Sequence, residues 1–323
     1  VLGAGRDIAI AATLGAGATS DAFWIAFTIP NTFRRFVADE GLTGALIPGL
    51  AKAEAEDGEA GARRLADATF TALLLVNAAL CVLGVLGAPA VVLAFAWSFR
   101  EDPDLFALTV QLTRWLFPFV ALVSLVSFAE GLLNHRHHYF LPKVAPALIS
   151  LGVIVAVLLP SGWFARPVDA VVVGTMVGGV AHVLLLAPAL QQRWGRLGLS
   201  AAFRDPRFRA LSVELSKVIA IGIFAQINIL VLRQLAASME RGAVTWYGNA
   251  NRLVDLTQGI IAVGVGSALL PAVSSAVAQQ DWDRFRRDLV GAMRLAAFVL
   301  LPAGVVCTAF AEPVTAVVYR LGQ

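Results

Sequence analysis

Apolar runs of about 20 residues recur along this chain, each long enough to cross a ~30 Å hydrocarbon core as an α-helix. Broken by charge, Gly and Pro, they give about nine spans: 1–14, 21–50, 65–97, 105–133, 140–159, 168–190, 211–239, 244–277 and 289–319. Composition agrees, with 58% hydrophobic and 15% charged residues, against roughly 45–50% and 25% in soluble domains. A water-soluble fold is excluded, and the expectation is an all-α, polytopic transmembrane helix bundle.

The net charge of +3 and pI near 9.2 do not indicate nucleic acid, because the arginines cluster beside apolar spans rather than on one soluble face. They report orientation instead, since basic residues mark the loops that stay in the cytoplasm. One set of alternate connections carries Lys52, Arg63, Arg64, Arg136, Lys143, Arg193, Arg196, Arg204, Arg207, Arg209, Arg284, Arg286 and Arg287; the other carries Arg100, Arg166 and Arg241. The first set is expected in the cytoplasm, with the N-terminus on the same side. Cys81 and Cys307 lie in apolar runs without metal or redox spacing and read as packing residues. The chain opens at Val1 without Met and without a cleavable signal pattern, and reads as a piece of a longer protein.

Two segments echo each other, as in transporters built from duplicated helix sets. ALIPGLAKA (45–53) and ALLPAVSSA (268–276) each follow an aromatic, an Asn and an Arg: Trp24, Asn31 and Arg34, then Trp246, Asn251 and Arg252. Six spans separate the copies, so the repeat is parallel. The expected organisation is an N-lobe at 1–192, a polar Arg-rich linker at 193–210 and the start of a C-lobe at 211–323.

An ionised side chain at mid-bilayer costs from roughly 2.5 kcal/mol upward, so such residues usually face a cavity and serve a function. Asp21, Arg114, Glu130 and Arg233 lie near span ends, where snorkelling to the interface is the plainer reading. Arg6, Arg34 and Arg252 lie deeper, on the first, second and eighth spans. If the repeat brings them together they form a cationic cavity, and guanidinium forks match phosphate oxygens. The competing reading is structural pairing, Arg6 with Asp7 and Arg252 with Asp255. Pro30 is expected to bend the second span and open room near the charges. His135, His137 and His138 lack nearby Cys or a carboxylate pattern, so no metal site is expected; the run AEAEDGEAGARR reads as a solvated loop, and Gly174 and Gly178 suit close helix packing. No nucleophile with a partnered base, phosphate-cradling loop or cofactor motif is present, so an enzyme is not expected.

The stretch VLGAGRDIAIAATLGAGATSDAFWIAFTIPNTFRRFVADEGLTGALIPGLAKA resembles the opening of the MurJ (MviN) family of lipid II flippases. Gly3, Arg6, Asp7, Gly15, Asp21, Ala22, Phe23, Pro30, Asn31, Arg34, Arg35, Glu40, Gly41 and Pro48 match its pattern. LNHRHHYFLPKVAPALISLGV and TWYGNANRLVDLTQGIIAVGVGSALLP resemble its fifth-helix approach and eighth helix. The resemblance implies a MATE-like, two-lobe transporter of the multidrug/oligosaccharidyl-lipid/polysaccharide superfamily, with about nine of some fourteen helices present. It implies transfer of the undecaprenyl-pyrophosphate-linked peptidoglycan precursor, lipid II, from inner to outer leaflet of the bacterial inner membrane, with cell-wall synthesis proteins as candidate partners. It assigns the pyrophosphate to Arg6, Arg34 and Arg252, and supporting roles to Asp7, Asp21, Glu40 and Asp255. A coupling ion or the membrane potential would drive the cycle, and no cofactor is implied. The sequence departs from the family at Asp39, an apparent insertion before Glu40, and at Asn251, where an Asp often stands. Competing readings are a flippase for another polyprenyl-linked oligosaccharide, a cation-coupled multidrug exporter, and a non-transporting scaffold.

Overall fold

The structure is a computed structural model that describes residues 2–37, 40–252, 254 and 280–310, with isolated positions at 269, 273, 276 and 277. Every regular element among the described residues is a helix. In order they are α1 (Leu2–Leu14), α2 (Ala18–Val37), α3 (Glu40–Leu86), α4 (Ala88–Phe95), α5 (Pro103–Leu116), α6 (Phe119–His135), α7 (Phe140–Val144), α8 (Ala147–Leu158), α9 (Pro167–Trp194), α10 (Pro206–Ala237) and α11 (Trp282–Ala309). The second copy of the proposed repeat, 268–276, lies almost wholly outside the described residues.

Helix starts follow from local chemistry. At α5 and α10 an Asp precedes a Pro: Asp102 accepts from the Leu105 amide at 3.1 Å and Asp205 from the Arg207 amide at 2.8 Å. The Asp satisfies a free N-terminal N–H, and Pro occupies the position that needs no donor. Five helical stretches are long and apolar enough to cross a membrane: Gly44–Leu86, Pro103–His135, Phe140–Leu158, Pro167–Trp194 and Trp282–Val306. Leu83, Leu86, Leu158, Leu184 and Phe298 are each more than half exposed. Such a belt is a liability in water and the correct surface in lipid.

The run AEAEDGEAGARR is not a loop. It continues α3, a 47-residue helix whose helical backbone lapses only at Asp57 (φ −125°, ψ 16°) and Gly58 (φ 65°, ψ −161°). Ala, Glu and Arg are strong helix formers, and Gly58 takes a backbone angle that a side chain would oppose. The second and third spans are therefore two arms of one bent element, with a charged helical segment (54–64) beyond the apolar part of both.

Two packing arrangements hold the first spans together. Leu46 and Leu50 of one α3 arm, Leu65 of the other, Phe128 and Leu132 of α6, Trp194 at the end of α9 and Leu211 of α10 form one buried cluster. The Trp194 indole N–H donates to the Leu132 carbonyl at 3.0 Å. Elsewhere α8 and α9 meet backbone to backbone: a Cβ on Gly178 would stand 2.7 Å from Ile149 Cα, and one on Gly174 would stand 2.6 Å from the Gly152 carbonyl oxygen. The small-residue spacing thus acts as expected.

The chain forms two compact units, Val1–Thr245 and Trp246–Gln323. Within the first, residues from the two basic sets take up opposite ends of the helices. Arg63, Arg136 and Arg207 gather with Glu54, Glu56, Asp57, Glu59 and Asp67 at one end. Arg241 pairs with Asp102 and Arg166 with Asp169 at the other.

Candidate functional site

Arg6, one turn into α1, pairs with its neighbour: Nη2 lies 2.8 Å from Asp7 Oδ1, and Nε donates to the same oxygen at 2.9 Å. Beside it is a cavity of only about 10 Å³, walled by Ile10 of α1, Phe23, Trp24 and Phe27 of α2, Ile149 of α8 and Thr175 of α9. That is roughly one water.

Arg34 lies on the last turn of α2 and Glu40 opens α3, but both side chains lie outside the described residues. Pro30 sits within α2, which runs as one helix from Ala18 to Val37; its missing N–H deprives the Ala26 carbonyl of a helical donor. Arg252 belongs to the second unit, on helical backbone and half-buried, and Asp255 lies outside the described residues. Of the residues singled out by sequence, the structure joins Arg6 to Asp7 and gives Asp21 partners that sequence did not suggest.

Asp21, in the first turn of α2, is 3% exposed, so the snorkelling reading gives way. Its carboxylate accepts from the Gly242 amide at 2.6 Å, the Thr245 amide at 2.9 Å and the Thr245 hydroxyl at 2.6 Å. Ser20 Oγ stands 3.0 Å from the same hydroxyl, and the Arg233 charge acts on the carboxylate from α10. Neighbouring bonds continue the junction. The Gln234 amide nitrogen donates to the carbonyls of Leu93 (3.0 Å) and Ala94 (2.8 Å), and its oxygen accepts from the Trp97 amide at 2.8 Å. Ser98 donates to the Ala237 carbonyl at 2.6 Å, and Arg241 pairs with Asp102 at 2.8 Å. The end of α10 is thereby fastened to α2, α4 and the 3₁₀ turn Trp97–Glu101.

At the opposite end of α10 Leu211 packs with Leu46 and Leu50 of the first α3 arm, and a cavity opens beside that contact. It measures about 1210 Å³ and is lined by the first arm of α3 and the start of α10, larger than a typical small-molecule pocket of roughly 300–1,000 Å³. Gly44, Ala45, Pro48, Gly49, Leu211 and Val213 give it an apolar wall; Lys52, Arg64, Arg207 and Arg209 face Glu56, Asp57, Asp205 and Glu214 around its rim. Arg207 bridges the rim to Glu56 (3.0 Å) and Asp57 (2.9 Å). Sequence reading missed this site, although two charged runs far apart in the chain supply its lining.

A brace backs the bend of α3. Glu54 meets His135 Nε2 at 2.6 Å and Arg136 at 3.0 Å, and Arg136 reaches Glu59 at 2.8 Å while lying 4.8 Å over the Trp194 ring. The hydrogen bond to His135, aided by the Arg136 charge, holds the Glu54 carboxyl below the usual carboxylate range. No group of three or more His, Cys, Asp or Glu that could hold a metal occurs among the described residues.

The helices within residues 2–245, apolar-belted, hydrogen-bonded at one end and bordering a large cavity at the other, form the bundle of a polytopic membrane protein. Solved structures give the same fold: an inward-closed lipid II flippase MurJ superposes with a TM-score of 0.84 at 18% identity, over 100% of this chain and 66% of that one. An inward-facing multidrug resistance MATE family transporter of the MOP superfamily superposes at 0.76 and 16% identity, over 98% and 72%. The chain belongs to the MurJ family, whose model, described as lipid II flippase MurJ, matches residues 10–323. The lipid II flippase MurJ of Burkholderia cenocepacia is 32% identical over the whole of this chain, and the probable lipid II flippase MurJ of Bdellovibrio bacteriovorus is also 32% identical. The chain spans 63% and 62% of the length of these two relatives.

Proposed function

We propose that the whole protein moves lipid II across the bacterial inner membrane by alternating access, as a transporter and not an enzyme. The observation that carries this reading is the asymmetry along α10, hydrogen-bonded to Asp21 beyond its end and bordered by the 1210 Å³ cavity at its start, in a chain whose relatives are named for lipid II. With the basic set of loops in the cytoplasm, the N-terminus is cytoplasmic and the cavity faces the side where the precursor is made. The Asp21 junction then closes the outer side.

In this reading residues 1–192 form one lobe and 211–323 begin the second, with 193–210 linking them. Arg6, Arg34 and Arg252 hold the pyrophosphate, and Asp7, Glu40 and Asp255 exchange ion pairs with them as the lobes rock. In this reading a phosphate that reaches Arg6 displaces Asp7 from it. Replacing Arg6, Arg34 and Arg252 singly by Ala in the whole protein, and following the exposure of lipid II to an outside probe in vesicles, tests the assignment. Each is expected to lower translocation at least tenfold, since losing one charged contact costs about 1.5–3 kcal/mol; unchanged translocation in all three overturns it.

A further inference from the structure

The mechanism above leaves unused a titratable pair inside the spans. His182, on α9, is 3% exposed, and its Nε2 is buried without a hydrogen-bond partner. The group facing it is Glu130 of α6, with Oε1 3.7 Å away and a side chain 24% exposed. Val126, Ala129 and Leu133, within four residues of Glu130 on α6, and Leu186, one turn from His182 on α9, pack together in one buried apolar cluster. We infer that His182 and Glu130 form a proton-binding site within the helix bundle, and that its ligand is a proton and no larger cation.

An apolar surrounding penalises net charge, and the pair can reach neutrality in two ways, as imidazole with carboxylic acid or as imidazolium with carboxylate. Both hold the same single proton beyond the fully deprotonated pair. At 3.7 Å the two groups are too far apart for a hydrogen bond, so the proton is not locked between them. A metal ion is a poor guest, since calcium takes six to eight oxygens and zinc three or four ligands, whereas this site offers one carboxylate and one imidazole.

Among the described residues, the charges on the helices packed against α9 have other partners or lie at the far end of the bundle. Of the helices packed against α9, α8 carries no ionisable group. On α1, Arg6 pairs with Asp7. On α6, His135 bonds to Glu54. On α5, Arg114 donates to the Val85 carbonyl, and Asp104 lies at the opposite end of the bundle, in the first turn. On α2, Asp21 is taken up by Gly242 and Thr245, and the side chains of Arg34 and Arg35 lie outside the described residues. The site also has a path to the cargo. Thr175, two turns before His182 on the same face of α9, lines the small cavity beside Arg6. A change in charge at the pair can therefore bias how α9 sits against α1, which makes the proton a driving ion for transport. That last step rests on the transport reading.

The site is tested on the whole protein in lipid nanodiscs with ¹⁵N-labelled histidine. The His182 signal, assigned by its loss in His182→Gln, should show both protonated and neutral forms as pH is varied. In Glu130→Gln the balance between the two forms should differ from wild type at the same pH. A His182 signal fixed across the range, or one indifferent to Glu130→Gln, overturns the site. If His182→Gln does not fold, infrared difference spectra across the same pH range replace it: a protonated-carboxyl stretch lost in Glu130→Gln supports the site, and its persistence overturns it. In proteoliposomes an imposed pH gradient should change translocation in wild type and not in Glu130→Gln. Transport that ignores the gradient overturns the driving role, whereas no transport at all overturns the transport reading and leaves the titration to decide the site.

Discussion

Asp21 shows how one carboxylate can hold two distant segments. Its three short hydrogen bonds reach residues more than 200 positions away, and a buried acceptor of this kind is costly to leave unmatched. Asp21→Asn keeps the size but turns one acceptor into an amide that cannot receive both backbone N–H groups. Weakening the junction by about 1–3 kcal/mol should speed amide hydrogen exchange at Gly242 and Thr245 by roughly tenfold or more, whereas Thr245→Val, which keeps both amide donors, should change Gly242 less. Equal protection in wild type and Asp21→Asn would refute the role. None of this was legible in the sequence, where Asp21 reads as an acid at a span end, because its partners are backbone groups supplied by the turn after α10. The Arg6–Asp7 pair was legible as one of two readings, because the two stand side by side in an apolar run, but choosing it needed side-chain geometry.

At the scale of elements, apolar length located the third to sixth and the ninth spans among the described residues, while the charged middle of α3 escaped because a solvated helix and a solvated loop share a composition. Gly58 was the available clue to a bend. The brace on that bend responds to pH with a definite sign. Because folding lowers the Glu54 carboxyl, its contribution is full above the ordinary carboxylate range and is lost as pH falls through the lowered value. Unfolding temperature in detergent should therefore drop with acidification less steeply in Glu54→Gln than in wild type. The α8–α9 contact offers a sharper test. Gly178→Val places a Cβ where Ile149 Cα leaves 2.7 Å and should destabilise by about 1–3 kcal/mol or more, whereas Gly291→Ala, with nothing within 4 Å in α11, should be neutral or stabilising by up to about 1 kcal/mol. Thermal unfolding of the two variants checks both, and equal effects would remove the helix contact as the cause.

For the whole molecule, alternating access requires that the fastened end of α10 come apart during each cycle. The bonds there are many but individually modest, about 0.5–1.5 kcal/mol net for a neutral pair, so cargo and ion binding at the other end can supply the difference that shifts the equilibrium. The contact of Ser98 with the Ala237 carbonyl sits between the 3₁₀ turn and the last turn of α10, within reach of a short bridge. Ser98→Cys combined with Ala237→Cys, joined by a short thiol-specific cross-linker on an otherwise cysteine-free whole protein, should stop lipid II translocation. Each single variant treated with the same reagent should continue to transport, which separates a locked junction from a blocked surface. Sustained transport with the bridge in place would mean that this end stays closed throughout the cycle, and the alternating-access reading would have to give way to a path that never opens beside Asp21.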